Sequence, residues 1–133
     1  MTLIFNPEKK GLTKILRNYQ VEALKSLWKK SEKGLATGEV HEYVRRKIDG
    51  SISRASIINF LKAMADEGVL NFKERTGRGG YSRVYTPRLN EFEFKTYVAQ
   101  TMIASLLKDF PEETKTASAN SLFNRARKVS QRS

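Results

Sequence analysis

The sequence contains no cysteine and one histidine, His41. Without cysteine there are no disulfides, no thiolate zinc sites and no thiol redox switches. A lone histidine could bind a metal ion only together with carboxylates or a second subunit, so we expect His41 to be an ordinary residue on a helix. The composition therefore predicts neither a metal nor a cofactor.

Long apolar runs are also missing. No run approaches the roughly 20 residues that cross a bilayer, and the apolar start up to Phe5 is too short for a signal peptide. There is no HExxH motif and no Gly-rich phosphate loop after a strand, because Gly77-Arg78-Gly79-Gly80 falls within a predicted hairpin. These absences predict a soluble, cytoplasmic protein that is not an enzyme and has no membrane partner.

Acidic residues are scarce relative to basic ones. The 133-residue chain has 25 Lys and Arg against 14 Asp and Glu, a formal charge of +11. Residues 114–133 include five basic residues and no acidic one, and subtracting these five leaves +6 for residues 1–113. An excess of this size favours a polyanionic partner, most often nucleic acid and less often an acidic membrane.

The first two predicted helices follow a short N-terminal arm, residues 1–15, which we expect to be a disordered leader or a basic arm that touches phosphates. Asn18 is a suitable N-cap for a helix from Tyr19 to about Ser31, and Thr37 for a second from Gly38 to about Ile48. The predicted buried stripes are Val21, Leu24, Leu27 and Trp28 in the first helix and Val40, Val44 and Ile48 in the second.

The stretch from Ser51 to Pro87 is the most informative part of the chain. Ser53 is a good N-cap, and the apolar residues Ile57, Leu61 and Met64 then recur at helical spacing until Gly68. Two strands, about 69–73 and 81–86, flank a basic turn with three glycines. A helix followed by a basic hairpin is typical of a winged helix-turn-helix, so we predict a mainly α fold with a small β-hairpin, residues 16–88.

This architecture places specific residues against duplex DNA. In a helix-turn-helix protein the second helix lies in the major groove, while the first helix points its free N–H groups at the backbone. Short and polar groups suit base edges; for example, Asn59 can pair with adenine and Ala55 can meet a thymine methyl. The predicted DNA-binding residues are Thr37, Gly38, Ser53, Arg54, Ala55, Ser56, Asn59, Lys62, Arg75, Arg78 and Arg83.

Alternatives to this interpretation remain open. The helix and hairpin could serve only packing or contact with an acidic protein. Tyr81 and Tyr85 could stack bases of RNA or single-stranded DNA. The run Arg45-Arg46-Lys47 could contact phosphates or simply complement the C-terminal end of the helix dipole.

Several segments together resemble one family of regulators. They are Leu16–Trp28, Glu39-Val40, Ser53–Ile57, Asn59–Leu61, Glu67–Leu70 and Gly80–Pro87. In these segments the chain is similar to the BlaI/MecI/CopY penicillinase-repressor family, although that family often has basic residues where this chain has Ala55 and Ala63. The resemblance, over about residues 16–110, implies a winged-helix repressor that dimerises and binds duplex DNA.

A last predicted helix occupies residues 89–111, from Glu91 to about Phe110, with Asn90 as its cap. Its broad apolar face needs cover, either from its own domain or from a second copy of the chain, and two-fold DNA sites favour a two-fold protein. We therefore predict a homodimer. The predicted interface is Phe94, Tyr97, Val98, Thr101, Met102, Leu106 and Phe110. The basic tail, residues 112–133, is expected to be disordered.

Overall fold

The computed structural model describes residues 4–30, 32–77 and 80–121. The chain divides into two compact units, one up to residue 94 and the other from residue 95 onward. The first unit contains three helices and a three-stranded sheet, and its elements are taken in chain order below.

Helix α1, Asn18–Lys29, is the first α-helix and begins one residue earlier than predicted. The predicted cap at Asn18 is wrong, because Arg17 occupies the N-cap position and its backbone N–H donates to Oε1 of Gln20 at 2.9 Å. The predicted stripe of Val21, Leu24 and Leu27 is buried. At the far end, Nε1 of Trp28 donates to the carbonyl oxygen of Leu89 at 3.1 Å.

Helix α2, Thr37–Lys47, follows a two-residue strand β1, Leu35–Ala36, that the sequence did not predict. Thr37 is not the cap. Ala36 takes that position, and its backbone N–H donates to Oε1 of Glu39 at 3.0 Å. Val40 and Val44 are fully buried.

Helix α3, Arg54–Asp66, begins and ends as predicted. The Ser53 hydroxyl oxygen accepts from the backbone N–H of Ser56 at 3.0 Å, which confirms it as the cap. Ile57, Phe60, Leu61 and Met64 are buried. Gly68 then adopts a φ of +81°, a conformation that favours glycine and that turns the chain into the sheet.

The sheet consists of β1, β2 (Leu70–Gly77) and β3 (Gly80–Pro87) in the antiparallel order β1-β3-β2. The register opposes Gly77 to Gly80 at the end of the β2–β3 hairpin. Gly34 precedes β1 with a φ of +74°, and a Cβ there would lie 2.7 Å from the carbonyl oxygen of Tyr85. Helices α1 to α3 and the β2–β3 hairpin form a winged helix-turn-helix, which confirms the predicted fold class.

The N-terminal segment has more local structure than the predicted leader. Gly11–Lys14 form a 3₁₀ turn. The Lys14 ammonium donates to the carbonyl oxygens of Pro7 and Lys9, and the backbone N–H of Asn6 donates to the carbonyl of Lys14 at 2.7 Å. Ile15, the last residue of the predicted arm, is buried.

Helix α4, Glu91–Asp109, starts in the first unit and continues into the second. Asn90 is its cap as predicted: Oδ1 accepts from the backbone N–H of Glu93 at 2.8 Å, and Oε1 of Glu93 accepts from the backbone N–H of Asn90 at 2.9 Å. Phe94 is 0% exposed, and its ring centroid lies 5.9 Å from that of Trp28. This burial leaves Phe94 little surface for a second copy of the chain, and its place in a dimer interface stays a prediction.

The second unit comprises the rest of α4, helix α5 (Pro111–Thr116) and a π-helical turn at Ala117–Ser121. Residues 112–121 are thus helical, in contrast to the predicted disordered tail, and residues 122–133 of that tail lie outside the described residues. Pro111 in the first turn and the carboxylates of Glu112 and Glu113 beside it are favourable at a helix N-terminus. No helix among the described residues is long and apolar enough to span a membrane.

The other predicted interface residues differ in exposure. Val98 is 7% exposed and has little surface left for a partner. Tyr97 and Met102 are half-buried, while Thr101, Leu106 and Phe110 are exposed.

Two phenylalanines near the start of α4 provide a matched test of this packing. Replacing the buried Phe94 by alanine should lower the free energy of unfolding by about 3–5 kcal/mol, through lost burial and a residual cavity. Phe92 is 78% exposed, and Phe92→Ala should cost less than about 1 kcal/mol. Urea unfolding followed by far-UV circular dichroism measures both. Equal losses in the two variants would contradict the burial of Phe94.

Candidate nucleic-acid interface

The start of α3 is fixed by contacts on both sides of the preceding turn. Besides the Ser53 cap, Nε2 of His41 lies 2.8 Å from the carbonyl oxygen of Ile52. Because a carbonyl oxygen can only accept, the ring must carry its proton on Nε2. This contact ties α2 to the turn into α3. His41 thus differs from the ordinary helical residue expected from the sequence, and no local pattern signals this positioning role.

The side of α3 opposite its buried stripe carries the predicted base-contacting residues. Arg54, Ala55, Asn59 and Lys62 are exposed, and Ser56 is half-buried. Ser53 and Ser56 are less available, because their hydroxyl oxygens lie 2.8 Å apart and Ser53 also caps the helix. The exposed face of α3 is therefore mostly polar, and Asp66 is an acidic residue at its C-terminal end.

The start of α2 lies next to Arg54. A Cβ atom at residue 38 would lie 3.3 Å from Nη2 of Arg54, so the absence of a side chain at Gly38 leaves room for this guanidinium. The structure thus brings together Gly38 and Arg54, two residues predicted to bind DNA. The Glu39 carboxylate, which the prediction did not include, also lies at this helix start.

The two wing arginines in the described residues project from opposite faces of the hairpin. Arg83 pairs across the strands with Glu74, and Arg75 pairs with Ser82. Since successive side chains of a strand alternate between faces, Arg75 shares its face with Lys73, and Arg83 shares the other with Phe72 and Tyr81. Arg78, the third predicted arginine, lies outside the described residues.

Arg83 is engaged by its neighbours on the wing. Its guanidinium carbon lies 4.0 Å from the centroid of the Phe72 ring, and Nε donates to the hydroxyl oxygen of Tyr81 at 3.3 Å. The Tyr81 hydroxyl donates in turn to Oε1 of Glu74 at 2.8 Å. Hydrogen bonding to Tyr81, and then to Tyr85, raises the pKa of Arg83 above its ordinary value. This face combines aromatic rings, a cation and a carboxylate, whereas Lys73 and Arg75 make the other face basic.

The basic run at the end of α2 is also engaged within the chain. The Arg45 guanidinium donates to both carboxylate oxygens of Glu42, the shortest distance being 2.8 Å, and Nε of Arg46 donates to Oε1 at 3.1 Å. The ammonium groups of Lys29 and Lys47 lie 5.4 and 5.5 Å from the centroid of the Tyr43 ring. Hydrogen bonding to Tyr43 is the main cause that raises the pKa of Lys29.

No cluster of three or more His, Cys, Asp or Glu residues that could hold a metal ion occurs in the part of the chain that the structure describes. The arrangement that remains is a winged helix-turn-helix with a polar face on α3 and a wing with one basic side.

Comparisons with known proteins do not narrow the assignment beyond a winged helix-turn-helix. No family model matches the chain, and no curated protein matches it. Among solved structures, it is similar to a crystal structure from Thermoplasma acidophilum that is provisionally described as a transcriptional regulator. The TM-score is 0.48 and the identity 16%, over 74% of this chain and 90% of that one. Values this low do not transfer the description to this chain, and the resemblance to penicillinase repressors stays a prediction.

The Glu42 network gives a pH prediction. Hydrogen bonding and charge from Arg45, and then from Arg46, lower the pKa of Glu42. Because this folded-state pKa lies below the unfolded one, the network stabilises the fold at higher pH and its contribution is lost as pH falls through the folded pKa. Carboxyl NMR titration should show a higher Glu42 pKa in Arg45→Ala than in the unmodified protein. An unchanged Glu42 midpoint would contradict the contact.

Proposed function

We propose that this chain is a sequence-specific transcriptional regulator that binds double-stranded DNA, acting as a homodimeric repressor. The observation that carries the proposal is the polar, uncovered face of α3 within a winged helix-turn-helix. A helix of this kind can enter a major groove and present Asn59, Lys62 and Ala55 to base edges. The formal charge of +11 supports a polyanionic partner.

The wing supports the same proposal through one of its faces. Lys73 and Arg75 are exposed on the face that lacks the Glu74 carboxylate, so this face suits phosphate contacts. Arg54, beside the start of α2, adds a third cation for the backbone. Arg83 belongs to the other face, and we assign it to wing rigidity rather than to DNA contact.

Dimerisation is supported by the exposed apolar residues of α4. Ile103, Leu106 and Phe110 are 47%, 42% and 43% exposed and follow one another at helical spacing. A second copy of the chain that covers this stripe would give the protein the two-fold symmetry that a two-fold DNA site requires. A dimer bound across a promoter would exclude other proteins from that site, which is the mode of action proposed for the repressor.

A second candidate function is a protein-interaction module. The observation that favours it is the other face of the wing, where Phe72, Tyr81 and Arg83 are side chains of the types enriched in protein–protein hot spots. Such a module would bind its partner in the absence of DNA and would depend on Tyr81 rather than on Asn59.

DNA binding is tested with selected and random duplexes, single-stranded DNA and RNA in gel shifts at two salt concentrations. We expect salt-sensitive binding that prefers duplex. Asn59→Ala should lose about 1–3 kcal/mol of discrimination at one base position. Arg75→Ala should instead weaken binding to all duplexes alike and reduce the salt slope by about one.

Two outcomes separate the candidates. If Asn59→Ala and Arg75→Ala have the same effect on selected and random duplexes, α3 does not contact bases as proposed. If neither variant changes binding while Tyr81→Ala abolishes capture of a protein partner, the protein-interaction module is favoured.

The dimer is tested with a charge on the α4 stripe. Leu106→Glu should shift the mass measured by light scattering toward the monomer, because a carboxylate in an apolar interface is costly to desolvate. Ala104→Glu places the same charge on an exposed residue away from the stripe and should leave the mass unchanged. A monomeric unmodified protein, or a dimer that tolerates both substitutions, would exclude this interface.

A further inference from the structure

A shallow trough joins α3 to the N-terminal segment along the beginning of α1. It consists of two adjoining grooves that share Leu16, Tyr19 and Gln20. One groove continues to α3 and is lined there by Ser56, Asn59, Phe60, Ala63 and Met64. The other continues to the N-terminal segment and is lined there by Ile4, Asn6, Thr13, Lys14, Ile15 and Arg17. We call the two grooves together the α1–α3 trough.

Internal contacts fix the walls of the α1–α3 trough. The ring of Tyr19 meets the ring of Phe60 edge-on, with 6.3 Å between centroids, so the first turn of α1 is packed against α3. The Gln20 side chain accepts from the backbone N–H of Arg17. Lys14 closes the N-terminal turn through the carbonyl oxygens of Pro7 and Lys9. These contacts reduce the ordering that a ligand along the trough would require.

The charge of the α1–α3 trough differs from that of other grooves on the described surface. None of the residues that line it is acidic, and Lys14 and Arg17 give it two cations. Three other grooves each contain two carboxylates beside their cations, so none of the three presents cations alone: Glu22 and Asp49, Glu91 and Glu93, and Glu39 and Glu42.

The position of Asn59 links this trough to the proposed function. Asn59 belongs both to the exposed face of α3 and to the lining of the trough. A strand of DNA that flanks the major groove occupied by α3 would therefore pass next to Tyr19 and Gln20. Arg17 is exposed at the N-cap of α1, further along the same trough.

The geometry points to the α1–α3 trough as the seat of one sugar-phosphate strand of the duplex contacted by α3, with Arg17 as an additional phosphate-binding residue. This inference rests on the proposed function and extends its interface beyond the helix-turn-helix and the wing. Arg17 fits the role because its guanidinium can donate two parallel hydrogen bonds to a phosphate. The contact carries no sequence information, so it adds affinity for every duplex.

The test is Arg17→Ala in the full-length protein. We expect about three- to tenfold weaker binding to selected and random duplexes alike, and a salt slope that is less steep by about one, as for the loss of one phosphate contact. Hydroxyl-radical cleavage should show lost protection of sugars on the strand beside α3. Arg17→Lys should restore the salt slope, because the charge returns, but only part of the affinity, because the paired donors do not.

The matched control is Lys25→Ala. Lys25 is an exposed cation on the same helix, but it lines the groove that contains Glu22 and Asp49, and its ammonium lies 3.7 Å from Oε1 of Glu22. Its removal should leave duplex affinity and salt slope unchanged. The alanine at residue 17 keeps the backbone N–H that donates to Gln20, and a melting curve checks that α1 is intact.

The inference and the proposed function fail in different ways. If the unmodified protein binds duplex and Asn59→Ala changes base preference, but Arg17→Ala behaves like Lys25→Ala, the trough is not part of the interface and the proposed function stands. If the unmodified protein binds no duplex, both are overturned. Loss of preference at a single base in Arg17→Ala would overturn the assignment of Arg17 to a phosphate.

Discussion

The rotation of α3 about its own axis is the constraint on which the rest of the interface depends. Ile57, Phe60, Leu61 and Met64 are buried on one side, and their removal from water stabilises the fold by several kcal/mol in total. The helix therefore has one energetically accessible orientation. Ser53 and His41 then fix where the helix starts, through the cap and the contact to Ile52. The polar side of α3 faces outward because exposing the apolar side to water would cost free energy.

The basic residues differ in whether neighbouring protein groups already contact them. Arg45 and Arg46 share the Glu42 carboxylate, and Arg83 is stacked on Phe72. These cations are already solvated by protein groups, so a phosphate would have to compete with existing contacts. Lys62 and Arg75 are exposed and have no such contact among the described residues. Because part of the cations is engaged within the chain, the net charge alone overstates the cationic surface presented to a polyanion.

Local sequence patterns predicted the ends of helices well where a single residue determines where the helix starts or stops. Ser53, Asn90 and Gly68 satisfy specific backbone groups, and all three act as predicted. Arg17 and Ala36 replaced the predicted caps because Gln20 and Glu39, three residues on, supply the acceptor instead. The sidedness of Arg75 and Arg83 required the strand register, since a shift of one residue exchanges the two faces. The burial of Phe94 depends on Trp28, far away in sequence, and helical periodicity cannot reveal it.

Gly34 has a consequence for how the sequence can vary. Its positive φ and its approach to the Tyr85 carbonyl leave no space for a Cβ, and α2 begins three residues later, directly after β1. Any side chain at residue 34 would have to displace β1 from β3 or strain the backbone that leads into α2. Among the residues that the structure describes, no atom lies within 4 Å of a Cβ built at Gly77, so a side chain has space there. The position before β1 is thus restricted to glycine, whereas the last residue of β2 can vary.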